Sequence, residues 1–91
     1  MSVSVLIPTV LRKYTSGKDE VSLNGATVRE VIQNLGTQFQ SLAIAIHQEN
    51  GELKPFINIY VNEEDIRFLN SLDTAVQPND TITILPAIAG G

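Results

Sequence analysis

The 91-residue sequence contains no cysteine and no tryptophan, and only one histidine. Without cysteine there is no disulfide framework, no thiolate metal site and no thiol nucleophile. The single histidine, His47, has no obvious ligand set around it, so we interpret it as a loop or helix-end residue. Adjacent acids such as Glu63, Glu64 and Asp65 are typical of a solvated turn. We therefore expect no metal site.

Basic residues are also scarce, with six Lys and Arg against ten Asp and Glu and a formal charge of −4. This balance disfavours binding to nucleic acid or to an anionic membrane, because both require a cationic surface. No apolar run approaches the ~20 residues of a membrane span, and the start lacks the pattern of a signal peptide. We expect a cytoplasmic protein with no nucleic-acid or membrane partner.

Hydrophobic residues make up 43% of the chain, which suits a single globular domain. Several segments alternate apolar and polar residues with the period of a half-buried strand. These segments are Val3–Ile7, Val21–Leu23, Phe56–Val61 and Thr81–Leu85. The first two are close enough to form a hairpin. Ile66 and Phe68 predict a brief return strand, and we expect Phe39, Phe56 and Phe68 to fill core.

The clearest helix begins at Thr27, which has capping-box spacing to Glu30. One apolar stripe follows at helical spacing and comprises Val28, Val31, Ile32, Leu35 and Phe39. Leu42, Ile44 and Ile46 fit either a strand or a short buried helix. A sheet and an amphipathic helix bury their apolar faces against each other, so the sequence predicts an α+β two-layer domain.

The chain ends with Pro86 followed by small residues and the pair Gly90-Gly91. Because Pro86 cannot donate a ladder hydrogen bond, we expect the sheet to release the chain there. Two terminal residues without side chains can enter a narrow channel and present a carboxylate inside another protein. We therefore divide the chain into a folded domain, 1–86, and a flexible tail, 87–91.

Strand alternation also predicts which side chains cover the sheet face away from the helix. If Ile82 and Ile84 point inward, the outward residues are Leu6, Tyr60, Thr83 and Leu85. An exposed Leu and Tyr beside a departing tail would make a contact patch for a partner. The alternative is ordinary surface, where scattered apolar residues are normal.

Several segments together resemble the ubiquitin-like sulfur carriers of the ThiS/MoaD group, and the resemblance covers the whole chain. They are the opening strand Val3–Ile7, the capped helix from Thr27, the stretch Asn58–Phe68 and the ending Thr83–Gly91. Within the group, the chain looks most like the carrier of cysteine biosynthesis. The resemblance implies a β-grasp (ubiquitin-like) fold, in which a mixed sheet packs on one main helix.

The resemblance also implies a function as a carrier protein rather than an enzyme. An adenylating sulfurtransferase of the MoeB/ThiF type would use MgATP to activate Gly91, preceded by Gly90, and sulfur would then convert it to a thiocarboxylate. Pro86, Ile88 and Ala89 would join the partner-binding residues. The chain itself would bind no cofactor, and it carries no phosphate loop.

A sulfur-accepting enzyme would take the thiocarboxylate, such as a cysteine synthase or the large subunit of molybdopterin synthase. Thiamine biosynthesis and tRNA thiolation also remain open. The alternative function is a ubiquitin-like protein modifier, joined to lysines through Gly91. A third is a binding subunit whose tail docks without being activated.

Overall fold

The computed structural model describes residues 2–86, and these form one mixed sheet covered on one face by helices. The strands are β1 (Val3–Leu6), β2 (Glu20–Leu23), β3 (Ile57–Val61), β4 (Glu64–Asp65) and β5 (Thr81–Pro86). Their order in the sheet is β2-β1-β5-β3-β4. β1 runs parallel to β5, and the other three pairs are antiparallel. This is the arrangement expected of a β-grasp domain.

The core lies between the sheet and the helices, as the alternation predicts. Val5, Ile82 and Ile84 are fully buried, and Val3 is almost so. β1 and β2 form the predicted antiparallel pair, with Val5 opposite Val21. Their connection is longer than a tight hairpin and contains a 3-10 helix, Thr9–Tyr14.

The main helix, α1 (Val28–Gln38), begins where the capping pattern predicts. The Thr27 hydroxyl accepts a hydrogen bond from the Glu30 amide at 3.2 Å, and the Glu30 carboxylate accepts one from the Ala26 amide at 2.9 Å. These bonds satisfy two backbone donors at the start of the helix. Gly25 lets the chain pass close to the helix, because a Cβ there would lie 2.9 Å from the Val31 amide nitrogen.

The ambiguous segment after α1 is a second helix, α2 (Gln40–Ile46). Leu42 and Ile46 are buried at helical spacing, whereas Ile44 is 76% exposed. Strand alternation would have placed all three on one face. Phe39 joins the two helices and packs against the core, as predicted.

Two local predictions were wrong, and a third differs from the structure by one residue. Ile66–Phe68 is a 3-10 helix, so the return strand is the preceding pair Glu64–Asp65. Phe56 and Phe68 are exposed, at 43% and 85%, and do not fill core. The last strand includes Pro86, which pairs with Ile57, so the sheet extends one residue further than expected.

Of the helices in residues 2–86, none has the length and apolar character needed to cross a bilayer.

Candidate functional site

Three predicted docking residues form a row across the sheet face that is turned away from the helices. Thr83 on β5 is paired with Leu6 on β1 and with Tyr60 on β3. Residues paired in register share a face, so the three side chains are neighbours. Leu6 is 38% exposed, while Thr83 and Tyr60 are half-buried. The outward orientation is confirmed, and the docking role of these residues stays a prediction.

Of the two predicted docking residues that end β5, Leu85 extends this row and Pro86 does not. Leu85 lies opposite Asn58 and is 45% exposed, and Pro86 lies opposite Ile57 and is half-buried. The apolar outer surface therefore continues as far as Leu85, whereas Pro86 shares the core-facing side of the sheet with its buried partner Ile57. Leu85 is thus the outward-facing residue nearest to Pro86, the last residue that the structure describes.

The remaining predicted site residues, Ile88, Ala89, Gly90 and Gly91, lie outside the described residues. The five residues after Pro86 could reach at most about 17 Å if fully extended.

The other end of β5 is held by hydrogen bonds from the turn after β3. The Asn62 side chain donates to the Asp80 carboxylate at 2.9 Å and accepts from the Thr81 amide at 3.0 Å. Asn62 and Glu63 both have positive φ values, 50° and 76°. Asn tolerates this region better than most residues, because its short side chain can bond locally. These bonds keep the start of β5 in a defined position.

Asp65 and Arg67 form an ion pair that the sequence did not reveal. The Arg67 side chain donates to the Asp65 carboxylate, with the shortest bond at 2.7 Å, and the Arg67 amide donates to it at 2.9 Å. These two hydrogen bonds and the guanidinium charge hold the pKa of the Asp65 carboxyl below its usual range. Asp65 was interpreted as part of a solvated turn, but its side chain is only 9% exposed. The D-x-R spacing of Asp65 and Arg67 was the sequence signal from which this ion pair could have been found.

A broad recess on the helix side of the molecule offers no comparable chemistry. It lies between α2 and the following loop, with Ile44, His47 and Lys54 among its lining residues. His47 caps the end of α2, with its Nδ1 atom 2.9 Å from the Ala43 carbonyl oxygen. Within the part of the chain that the structure describes, no cluster of His, Asp and Glu could hold a metal ion.

The sequence matches the model of the ThiS family over residues 5–91. It is 44% identical over 93 residues to the sulfur carrier protein CysO of Mycobacterium tuberculosis, and the match covers 100% of both chains. The matched region includes the terminal glycines.

Two solved structures share the fold over almost the whole chain. One is CysO in the BexX/CysO complex of Amycolatopsis orientalis, 45% identical with a TM-score of 0.88, covering 98% of this chain and 99% of that one. The other is small archaeal modifier protein 1 of Methanosarcina acetivorans, 32% identical with a TM-score of 0.88, covering 99% and 96%. The β-grasp prediction is therefore confirmed.

Proposed function

This chain belongs to the ThiS family, and we propose that it is a sulfur carrier whose working group is the Gly91 carboxylate. The observation that carries the proposal is the full-length similarity to a named sulfur carrier, which includes Gly90-Gly91. Three residues separate these glycines from the strand whose outer face presents Leu85. The chain is a substrate of other enzymes rather than an enzyme. The full-length similarity to a named sulfur carrier supports this.

Activation is needed because a carboxylate is a poor electrophile. In the proposed first step, a Gly91 oxygen attacks the α-phosphorus of MgATP on a partner enzyme of the MoeB/ThiF type, and pyrophosphate leaves. In the second, a sulfur nucleophile at the oxidation level of hydrosulfide attacks the carbonyl and displaces AMP. The product is a Gly91 thiocarboxylate. The covalent adenylate divides one difficult substitution into two easier steps.

In these steps the folded domain positions the tail and takes no part in the chemistry. The sheet holds Leu85 at the edge of the apolar outer face, so docking of that face would deliver the tail to a fixed place. Bringing the reacting groups together in this way lowers the entropy to be lost at the transition state. A related carrier was solved in a complex with another protein, BexX, which supports docking.

Mass spectrometry of the reacted chain tests the proposal. The purified protein, incubated with its adenylating partner, MgATP and sulfide, should gain the mass of an oxygen-to-sulfur exchange at Gly91. A variant with one residue appended after Gly91 should gain nothing, whereas the same residue appended before Met1 is the matched control and should react normally. Full reaction of the C-terminally extended variant would refute the proposal.

We further propose that the sulfur serves cysteine synthesis, and that the reaction takes place in the cytoplasm, where ATP is available. Molybdopterin and thiamine synthesis are the competing destinations. Affinity purification with the thiocarboxylate form should recover a cysteine-synthase-like enzyme. Recovery of a molybdopterin synthase large subunit instead would contradict this assignment.

A second candidate function is protein modification through the same activated glycine. It is favoured by the similarity to an archaeal protein named as a modifier. Both functions share the adenylate, and they differ in the nucleophile that attacks it. Adducts on lysine side chains of other proteins would support the modifier, and a stable terminal thiocarboxylate would support the carrier.

A further inference from the structure

The sequence contains two Asn-Gly pairs, Asn24-Gly25 and Asn50-Gly51, and the proposed function uses neither. In such a pair the backbone nitrogen of the glycine can attack the side-chain amide carbon of the asparagine. Glycine has no Cβ, so it leaves that approach open and its backbone can adopt the geometry that ring closure requires. The fold gives the two pairs very different surroundings, and these decide which pair is free to react.

Asn50-Gly51 lies in an exposed turn between α2 and β3, where residues 48–52 are all exposed. The Gln48 amide donates to the Glu52 carbonyl at 2.7 Å, which closes the base of the turn. Among residues 2–86, none beyond the chain neighbours of Gly51 has an atom within 4 Å of the position that a Cβ there would take. The turn therefore has room to change shape without disturbing the core.

Within this turn the side chain of Asn50 is held close to the backbone that would attack it. Its Oδ1 atom accepts a hydrogen bond from the Glu52 amide at 3.0 Å, so the side chain folds back over the Gly51 peptide. This hydrogen bond also withdraws electrons from the side-chain carbonyl carbon and makes it more electrophilic. The Gly51 amide donates to the Gln48 carbonyl at 2.9 Å, and this exposed bond has only to open locally for the nitrogen to be released.

Asn24-Gly25 is held in place by α1. The Asn24 carbonyl oxygen accepts a hydrogen bond from the Asn34 side chain at 2.7 Å. Gly25 is packed so closely on the helix that a Cβ there would lie 2.6 Å from the Val31 Cγ2 atom. A ring closed on the Gly25 nitrogen, or an additional main-chain atom, would collide with the helix. The folded structure therefore protects this pair.

We propose that Asn50 is a site of spontaneous deamidation in the folded protein. The Gly51 amide loses its proton to hydroxide, and its nitrogen attacks the Asn50 Cγ atom to form a new C–N bond. The side-chain nitrogen takes up a proton and leaves as ammonia, which gives a five-membered succinimide. Water then adds to one of the two ring carbonyl groups and breaks a C–N bond, so the product is aspartate or isoaspartate.

Both products place a new carboxylate beside Glu52, and isoaspartate also lengthens the main chain by one methylene group. The hydrogen bond between Gln48 and Glu52 and the bridge between His47 and Leu53 close the base of the turn. We therefore expect the added length to stay within the turn, so that α2 and β3 keep their positions. The reaction needs only the folded chain and water, which makes it independent of the chemistry proposed for the tail.

Peptide mass spectrometry of the purified protein after incubation at mildly alkaline pH tests the proposal. The peptide that contains Asn50 should gain the mass of an amide-to-acid exchange and separate into aspartate and isoaspartate forms. In the folded protein this should occur at least about tenfold faster than at Asn24, where reaction requires local opening of the helix start. The same incubation in guanidinium chloride removes the fold, and the two pairs should then react at similar rates.

Asn50→Gln is the matched variant, because a ring with one more methylene group closes far more slowly and its turn peptide should stay unmodified. The melting temperatures of the parent and the variant should be close, since the turn is exposed. An Asn50 peptide that stays unchanged in the folded protein, while the unfolded chain reacts, would overturn the proposal. Equal rates at Asn24 and Asn50 in the folded protein, or the same mass gain in the Asn50→Gln turn peptide, would also overturn it.

Discussion

Replacing Leu42 and Ile44 separately by alanine tests the assignment of α2. The two residues are only two positions apart, yet Leu42 is fully buried and Ile44 is 76% exposed. A helix turns neighbours at this spacing to opposite sides, whereas a strand places them on the same side. The two variants should therefore differ sharply in stability.

The expected losses of stability follow from these exposed fractions. Leu42→Ala removes buried carbons and leaves a cavity against the core, so the free energy of unfolding should fall by about 3 kcal/mol, within a range of ~2–5 kcal/mol. For a domain of this size that lowers the melting temperature by roughly 12–24 °C. Ile44→Ala should change the free energy by no more than about 0.5 kcal/mol, because the side chain is in solvent. Alanine also has the higher helix propensity.

Urea denaturation followed by circular dichroism provides the measurement. The two variants should have similar m-values, so that the shift in midpoint reports stability alone. If Ile44→Ala lost as much stability as Leu42→Ala, the segment would be a strand with both residues inward. The helix assignment would then be wrong.

Two further predictions concern the helix cap and the ion pair. Thr27→Ala should lower the free energy of unfolding by about 1 kcal/mol, because the Glu30 amide loses its acceptor, and Thr27→Ser should restore most of it in a thermal melt. Asp65 has a folded-state pKa below its usual value, so the stability that it contributes is full above the unfolded-state pKa and is lost as the pH falls through the folded-state pKa. Urea titrations at several acidic pH values should show the difference between the parent and Asp65→Asn shrinking as the pH falls, and a constant difference would contradict the role of the pair.

Features that depend on neighbouring residues could be predicted from the sequence. The capping box at Thr27 and the apolar stripe of α1 are set within one turn of helix, and both were confirmed. The alternation in β1 and β5 was sufficient to identify Ile82 and Ile84 as inward and Leu85 as outward. The resemblance to the ThiS/MoaD group was confirmed by the comparisons.

Features that depend on distant contacts could not be predicted. Over so short a segment, the spacing of Leu42, Ile44 and Ile46 fits both a strand and a helix. Only packing against α1 and the sheet selects the helix. Phe68 was expected in the core because Phe is usually buried, but the 3-10 turn formed by Asp65 and Arg67 directs it outward. Composition gives no information about such an orientation.

By itself, the sequence determined the family, the helix that covers the sheet, the alternating faces of the strands and the terminal glycines on which the proposed chemistry depends. These properties depend on composition and on the spacing of residues that are close along the chain, so they can be read without knowing the fold. The tertiary structure decided which strands are neighbours, and so placed Leu6, Thr83 and Tyr60 in one row. It also brought the Asn62 side chain onto the start of β5, because hydrogen bonds join segments that are far apart along the chain.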